Sequence, residues 1–320
     1  MATTLSARVG GAAPAAIRRR RPRSGRFRRI AIVLLFMSPW IIGFFAFILY
    51  PMLASLYFSF TRYNLLQPPE WVGLFNYKFM FLHDPLFWQS VRNTVWIVVF
   101  GVPVSIVFAV GTAMVLTRVK VGSSVYRTMF FLPTMVPAVA ATLAFVFLLN
   151  PSGPINTILR LLHIPQPLWF ASPQWSKPAL VGLSLWAIGE TMIIFLAALL
   201  DVPRQLYEAA DMEGAGPWQK FRHVTLPMIS PVIFFSVVIG VIFGFQYFTQ
   251  AYIASGGQLH LGEPQGSMRF YAVWMFQQIQ YSHMGYASAL AWVLFLVVMA
   301  CTVVLIKASR RWVHYQGGFR

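Results

Sequence analysis

Six apolar runs constrain this chain more than any other feature of its sequence. Each is about 20 residues or longer, which is the length at which an α-helix crosses the hydrocarbon core of a bilayer. The chain is only 10% charged, whereas a soluble globular chain is nearer a quarter charged. The pattern predicts an all-α integral membrane protein in contact with lipid. Its six predicted transmembrane helices lie at roughly residues 30–52, 91–117, 128–149, 178–200, 229–254 and 285–307.

The basic residues flank these runs in alternate segments. If the first segment is cytoplasmic, the inside segments hold nineteen of the 25 Lys and Arg residues and the outside segments hold six. Without the nine in residues 1–29, the division is ten to six. Cytoplasmic loops carry an excess of Lys and Arg, so both termini are predicted to be cytoplasmic. The net charge of +17 follows from this topology. It does not indicate nucleic-acid binding, because the basic residues form no stripe interleaved with aromatic ones.

The domain organisation follows from the spans. The Gly-, Pro- and Arg-rich start is predicted to be a disordered cytoplasmic tail. It is not read as a signal peptide, because the next apolar run is long and no small-residue cleavage site ends it.

The outer segments are rich in Trp and Tyr, which suits either membrane anchoring or a binding platform, and "FNYKFMFLHDPLFW" predicts a short helix before span two. The predicted divisions are a tail (1–29), the first span with an outer interfacial segment (30–88), a core (89–307) and a C-terminal cytoplasmic tail (308–320).

The loop between the fourth and fifth runs gathers half of the eight acidic residues of the chain. Pro203 suits the first turn of a helix and Gly214 suits its end, because a helix often ends in a left-handed residue. Gly216 and Pro217 suit the start of a second helix, and Pro227 is expected to break the chain before span five. Residues 201–227 are therefore predicted to form a helical hairpin. Its clustered acids are Asp201, Glu208, Asp211 and Glu213.

The spacing within this loop resembles a known motif. Glu208-Ala209-Ala210, three residues, Gly214, nine residues, Val224, one residue and Leu226-Pro227 is similar to the "EAA" motif of the membrane permease subunits of binding-protein-dependent ABC importers. Val224 stands where the family usually has isoleucine. The stretches "LYPMLASLYFSFT", "WVGLFNY", "YRTMFFLP" and "GYASALAWVLF" resemble the carbohydrate-uptake branch. The resemblance extends over about residues 30–307 and leaves out the Arg-rich tail.

This resemblance implies a type I importer permease with six helices in the cell membrane of a prokaryote. The hairpin would be a coupling helix that seats in a cleft of a cytoplasmic ATPase, where Glu208 pairs with a basic residue and Ala209, Ala210 and Gly214 shape the contact. The implied partners are a second permease, two ATPase subunits and an extracytoplasmic solute-binding protein. ATP and magnesium would be bound by the ATPase subunits, and the solute would be a sugar or a related polar molecule. Without the resemblance, an acidic solvated loop would explain each position separately.

Glu190 is the only acidic residue inside a predicted span. A charge at the bilayer centre costs at least about 2.5 kcal/mol, so Glu190 must face the bundle interior, water or a partner. Ser184 and Thr191 share one helical face through Ala187, and Trp186 and Glu190 share another. In similar permeases this helix and the next line the translocation cavity. The alternative is that Glu190 only hydrogen-bonds neighbouring helices.

Span five contains a second group of candidate path residues. Gly240 and Gly244 form a GxxxG pattern, which usually indicates close helix packing. Gln246, Tyr247 and Gln250 offer amide groups and an aromatic ring, which suit the hydroxyls and the apolar face of a sugar. Simple helix packing remains the alternative for this face.

Enzymatic functions have little support in the sequence. There is no GxxxxGK[ST] nucleotide loop, no HExxH pattern and no paired His spacing for a metal. The single cysteine, Cys301, is interpreted as a packing residue. No catalytic or metal site is predicted. Two alternatives to a transporter subunit stay open: an intramembrane enzyme that uses Glu190, and a membrane anchor whose loop recruits a cytoplasmic protein.

Overall fold

The computed structural model describes residues 24–119, 121–257, 262–310 and 313. It divides into two units, residues 1–54 and 55–320. In the first unit, helix α1 (Ser24–Gly43) passes through a π-helical segment (Phe44–Leu49) into α2 (Tyr50–Ser59), which ends in the second unit. The helix therefore begins at Ser24, inside the stretch that was predicted to be disordered. Residues 1–23 of that predicted tail lie outside the described residues.

Among the described residues of the second unit, the regular structure is helical apart from a two-stranded antiparallel ribbon, in which β1 (Thr61–Arg62) pairs with β2 (Glu70–Trp71). The predicted short helix before span two is present as α3 (Phe75–Leu82). The remaining helices are α4 (Pro85–Trp96), α5 (Val102–Arg118), α6 (Ser123–Phe131), α7 (Ala138–Leu148), α8 (Pro154–Leu161), α9 (Ser176–Trp186), α10 (Gly189–Leu200), α11 (Arg204–Met212), α12 (Pro217–Lys220), α13 (Leu226–Phe245), α14 (Thr249–Ala254), α15 (Tyr271–Gln280) and α16 (Met284–Ser309).

Four helices of the described chain are long and apolar enough to cross a membrane, and two bent helix pairs raise the number to six. The four are Ile30–Ser59, Pro85–Arg118, Pro217–Phe245 and Met284–Ser309. Each bent pair corresponds to one predicted span, so the six predicted runs all find a counterpart. Two of them are not straight, however, and one ends earlier than predicted.

Three π-helical turns each lie just before a proline in a continuous helix. Proline lacks an N–H, and its ring would clash with the carbonyl four residues earlier. A π turn adds one residue to the helical turn. In each case the residue before the proline donates to a carbonyl five positions back: Tyr50 to Phe45, Val102 to Ile97 and Leu226 to Phe221, ahead of Pro51, Pro103 and Pro227. The predicted break at Leu226-Pro227 is therefore wrong, since the helix continues through it.

The third predicted span (128–149) is broken. Helix α6, extended by a 3-10 turn over Leu132–Met135, meets α7 at an angle of 98°. Val136 between them is extended (φ −77°, ψ 127°), as expected for a residue that precedes a proline. Pro133 and Pro137 were visible in the sequence, but a continuous helix was predicted through both.

The fourth predicted span (178–200) is also broken, and no proline explains it. Helices α9 and α10 are bent by 53° at Ala187 and Ile188. The bend accompanies a close backbone contact: a Cβ atom on Gly189 would lie 2.2 Å from the carbonyl oxygen of Phe130. Only a glycine lets α10 begin this close to α6.

The fifth predicted span (229–254) ends too late. The continuous helix stops at Phe245, the chain turns at Gln246, and α14 forms a separate short helix. Its beginning was also misplaced, because the same helix starts at Pro217, within the predicted hairpin.

Fully buried side chains pack α5, α10 and α13 together, and we call this group the inner cluster. Ala109 and Ala113 of α5 meet Met192 and Phe195 of α10, with Ile229 of α13 beside them. The small alanines allow the helices to approach closely, as is typical of membrane interfaces. The inner cluster therefore connects the helices that form the walls of the site described below.

The buried carboxylate of Asp84 connects three helices through hydrogen bonds. Sequence reasoning did not single out this residue. Asp84 caps α4 by accepting from the N–H groups of Leu86 (2.9 Å) and Phe87 (3.1 Å). Its second oxygen accepts from Trp274 Nε1 (3.0 Å) and from the hydroxyl of Tyr286 (2.5 Å). Burying a charge is costly unless it is hydrogen-bonded, and these four donors meet that requirement. Asp84 thus ties α4 to α15 and α16.

Candidate functional site

The hairpin predicted from the acidic loop is present. Helix α11 ends in a Schellman motif. The N–H of Ala215 donates to the backbone carbonyl of Ala210 (2.9 Å), and the N–H of Gly214 donates to the backbone carbonyl of Asp211 (3.0 Å). Gly214 has φ +75°, the left-handed conformation that this motif needs. The predicted role of Gly214 as the end of the first arm is therefore confirmed.

The second arm begins as predicted, with Pro217 in the first turn after Gly216. The side chain of Gln219 caps this start, because its Oε1 accepts from the N–H of Gly216 at 2.7 Å. Gln219 lies outside the motif, and sequence reasoning did not single it out. The Gln three residues after a cap position was the available signal.

Two acidic residues of the hairpin, Asp211 and Glu208, differ in whether they form an ion pair. Asp211 forms an ion pair with Lys220 across the two arms. Glu208 is exposed and has no ion-pair partner among the described residues. One acid of the cluster thus contacts the other arm of the hairpin, while the motif carboxylate remains available.

A cleft of about 460 Å³ lies between the two arms. Ala209, Ala210 and Gly214 line it together with Gln219, whereas Glu208 is not among its lining residues. Near the tip of the hairpin, Met212 is 90% exposed and Trp218 is 69% exposed. Sequence reasoning did not single out Met212, although an apolar residue two positions before the turn glycine is an available signal. Leu226 is exposed and Pro227 is half-buried, and both lie in the continuing helix.

A second cavity, of about 630 Å³, lies among the helices of the second unit. Its walls come from the Pro85–Arg118 helix, from α9 and α10, and from α13 with the turn that follows it. Among the described residues that line it, Glu190 is the only charged one. Eight of the nine predicted path residues line this cavity: Ser184, Glu190, Thr191, Gly240, Gly244, Gln246, Tyr247 and Gln250.

Trp186 is the exception. Its ring packs against Phe145 of α7, with ring centroids 5.5 Å apart, and it does not line the cavity. The prediction assumed one straight helix, in which Trp186 and Glu190 share a face. The bend at Ala187 and Ile188 lies between them, so the helical spacing no longer applies.

Glu190 lies in the first turn of α10 and is exposed towards the cavity. The positive end of a helix dipole favours a carboxylate in the first turn. The break in span four therefore supplies a partial stabilisation that a continuous helix would lack. The position of Glu190 is set by its neighbour Gly189, which packs on the backbone of α6.

Gly240 and Gly244 of span five fit both of their proposed roles, close helix packing and lining of the cavity. A Cβ atom on Gly240 would lie 2.7 Å from Cγ1 of Val102, and one on Gly244 would lie 3.0 Å from Cγ2 of Val98. They therefore pack closely against the Pro85–Arg118 helix, and both also line the cavity. Beyond them, the hydroxyl of Tyr247 is buried without a well-formed hydrogen bond.

The fold and these two sites define a class of protein: an all-α membrane permease with a helical hairpin that leads into one of its long apolar helices. Residues 101–315 match the family described as the binding-protein-dependent transport system inner membrane component. The chain belongs to this family, and the resemblance seen in the hairpin is confirmed. It is the permease subunit of an ABC importer.

The chain is similar over most of its length to several transport permeases. It is 41% identical to the probable ABC transporter permease protein YesP of Bacillus subtilis, over 88% of this chain and 91% of the relative. It is 32% identical to the sulfoquinovosyl glycerol transport system permease protein SmoG of Agrobacterium fabrum, over 88% and 91%. It is also 32% identical to the lactose transport system permease protein LacF of Rhizobium radiobacter, over 86% and 93%.

A solved structure has the same fold. A chain of a bacterial ABC transporter involved in the import of the acidic polysaccharide alginate superposes with a TM-score of 0.71. The match covers 90% of this chain and 98% of that chain at 22% sequence identity. A second structure, of the bacterial alginate transporter in complex with a pentasaccharide-bound periplasmic protein, gives a TM-score of 0.72 at 21% identity.

Proposed function

We propose that this permease carries a sugar or a related polar solute, and that it forms the translocation path together with a second permease. The names of the relatives support a carbohydrate: one serves sulfoquinovosyl glycerol and another serves lactose. The cavity fits this class, because its hydroxyl and amide groups (Ser184, Thr191, Gln246, Gln250) stand among apolar and aromatic side chains. A few polar groups in an apolar cavity are typical of small-molecule sites.

The single observation that carries the proposal is the unbroken helix from Pro217 to Phe245. Its first turns form one arm of the hairpin, and its later turns (Phe235–Gly244) form a wall of the cavity. The second arm of the hairpin and the cavity wall are thus parts of one continuous helix, which would connect a displacement of the hairpin to the cavity.

The hairpin offers a surface that suits a protein partner. Glu208 supplies a carboxylate that has no ion-pair partner in the described part of the chain, and Ala209 supplies a small side chain that lets another surface approach closely. The large apolar side chains of Met212 and Trp218 are exposed, and such anchors are typical of binding hot spots. We assign this surface to one of two cytoplasmic ATPase subunits, with Glu208 paired to a basic residue of the partner. The hairpin and both termini would then be cytoplasmic, as the basic residues indicate.

The transport cycle needs two states of the helix bundle. ATP and its magnesium, bound by the ATPase subunits and not by this chain, would draw the hairpins together. An extracytoplasmic solute-binding protein that delivers the solute would bias the same equilibrium from the other side. Coupling between the two requires only that each partner binds one state more tightly than the other.

Copurification tests this proposal. A tagged form of the protein, extracted from its native membrane in mild detergent, is expected to bring down an ATPase and a second, similar permease. Isolation of the chain alone, with transport of no solute, would contradict the proposed assembly with an ATPase and a second permease. Ligand screening of the associated binding protein would then identify the solute.

A further inference from the structure

The two arms of the hairpin are joined by a hydrogen bond at its base. The hydroxyls of Tyr207 on α11 and Thr225 are 2.9 Å apart, and Thr225 Oγ1 lies 3.4 Å from the carbonyl oxygen of Lys220. Thr225 is 5% exposed. If its single proton goes to that carbonyl, Tyr207 is the donor to Thr225. The bond therefore runs from the first arm into the second through a largely buried hydroxyl.

Thr225 lies where the second arm of the hairpin changes from a π turn to the α-helix α13. It is the last residue of the π turn Phe221–Thr225, and α13 begins at the next residue. A π turn is a local irregularity in an otherwise regular helix, and such turns often occur at functional sites. The hydrogen bond between Tyr207 and Thr225 thus meets the second arm at the residue before α13 begins.

The ring of Tyr207 is anchored as well as its hydroxyl. Together with Val224, it packs against the buried cluster that joins α5, α10 and α13 and that also includes Val202. Another contact between the arms is the ion pair of Asp211 with Lys220, whose side chains are 62% and 24% exposed respectively. Ion pairs open to solvent contribute little, so Tyr207 is the firmer of these two connections between the arms.

We propose that Tyr207 is a positioning residue for energy coupling: its hydrogen bond to Thr225 makes the ATPase-facing helix α11 move together with α13 and the cavity wall. The inference rests on the proposed function of the hairpin. It adds that docking and transmission are separate tasks, the first performed by the exposed Glu208 surface and the second by the buried Tyr207–Thr225 pair. Removing the pair should leave the ATPase bound but weaken its effect on the cavity.

The test uses the complete complex in nanodiscs, with Cys301→Ala and a reporter cysteine at the cavity residue Ser236. The probe is Mg-ATP with orthovanadate, and the measurement is the rate at which a maleimide labels position 236. In Tyr207→Phe and Thr225→Val, the ATPase should copurify in normal amount, while the nucleotide-induced change in labelling rate should fall by about fivefold or more. The double variant should be no worse than either single variant, since both remove one bond.

Two further variants sharpen the test. Thr225→Ser keeps a hydroxyl and should retain the response. Tyr126→Phe makes the same chemical change on α6, where the tyrosine is exposed, and should also retain it. A full labelling response in both Tyr207→Phe and Thr225→Val would overturn the inference, and so would loss of the ATPase from either one. If the reference complex itself lacks an ATPase, the proposed function fails, and that outcome is distinct from a failure of the inference alone.

Discussion

The backbone of Gly189 lies directly on that of Phe130: a Cβ atom at position 189 would stand 2.2 Å from the carbonyl oxygen of Phe130 and 2.7 Å from Cα of Phe131. This contact joins the two bent spans, because Gly189 opens α10 and Phe130 lies at the end of α6. It also places Glu190, the next residue, at the cavity. The geometry of the candidate path therefore depends on the absence of one side chain.

Gly189→Ala is expected to disrupt this contact. The added methyl group meets backbone atoms, which cannot rotate away, so one of the two helices must shift. Overpacking of this kind costs about 1–3 kcal/mol, and the displacement of Glu190 should lower uptake as well. Thermal unfolding in detergent and uptake into vesicles would measure both effects. Gly182→Ala, on the same bent pair but with open space around it, is the matched control and should be mild.

Glu190→Gln keeps the shape of the side chain and removes its charge. If Glu190 acts at the cavity, uptake should fall while expression and copurification of partners stay normal, because no buried partner loses its ion pair. Glu70→Gln, the same change on the exposed strand β2, serves as the control. Transport kinetics equal to those of the unaltered protein would exclude a role for the charge, and impaired assembly would assign Glu190 to helix packing.

Glu208→Ala tests the docking surface. Alanine is the best helix former, so α11 should persist and the protein should insert normally. Truncating one member of a paired charge at an interface typically costs about 2–5 kcal/mol of binding, so copurifying ATPase and uptake should both be lost. Gln205→Ala, an exposed position on the same helix, should have little effect. Gln219 is unsuitable as a control because it caps the second arm. Normal transport by Glu208→Ala with its ATPase still bound would contradict the assignment of this hairpin.

Gly214→Val tests the turn between the arms. Its φ of +75° is costly for a residue with a Cβ atom, by about 1–2 kcal/mol, although the site itself is open. The hairpin should lose its Schellman motif, and the ATPase should copurify less well. Asparagine tolerates the left-handed conformation, so Gly214→Asn should largely preserve binding. Equal loss in both variants would indicate contact with the partner in place of backbone strain.

The orientation of the chain can be tested with single cysteines in a Cys301→Ala background. Ser152 and Gln67 lie in predicted outer segments, and Ser124 lies in a predicted cytoplasmic one; all three are exposed. An impermeant thiol reagent applied to intact cells should label positions 152 and 67 and should spare position 124. The opposite pattern would invert the topology. Ser255, although it also lies outside in the predicted topology, is buried and unsuitable as a label site.

The sequence alone was enough for features that depend on local chemistry. Apolar runs of span length predicted the membrane class, since each helix satisfies its own backbone hydrogen bonds within lipid. The hairpin was predictable at residue level because its turn depends on the missing Cβ of Gly214 and on the ring of Pro217. Motif spacing then led to the family, which the comparisons confirmed.

The tertiary structure decided the features that depend on residues far apart in the chain. No proline lies at the bend in span four, so the local sequence did not indicate it. The bend accompanies the contact of Gly189 with Phe130, 59 positions earlier in the chain. Because of this bend, Trp186 packs on Phe145 and does not line the cavity. Asp84 looked like part of an interfacial segment, but its partners Trp274 and Tyr286 lie 190 and 202 positions away. Helical periodicity carries information over a few turns only. Where two distant backbones meet, packing and hydrogen bonding between them determine which side chains reach the site.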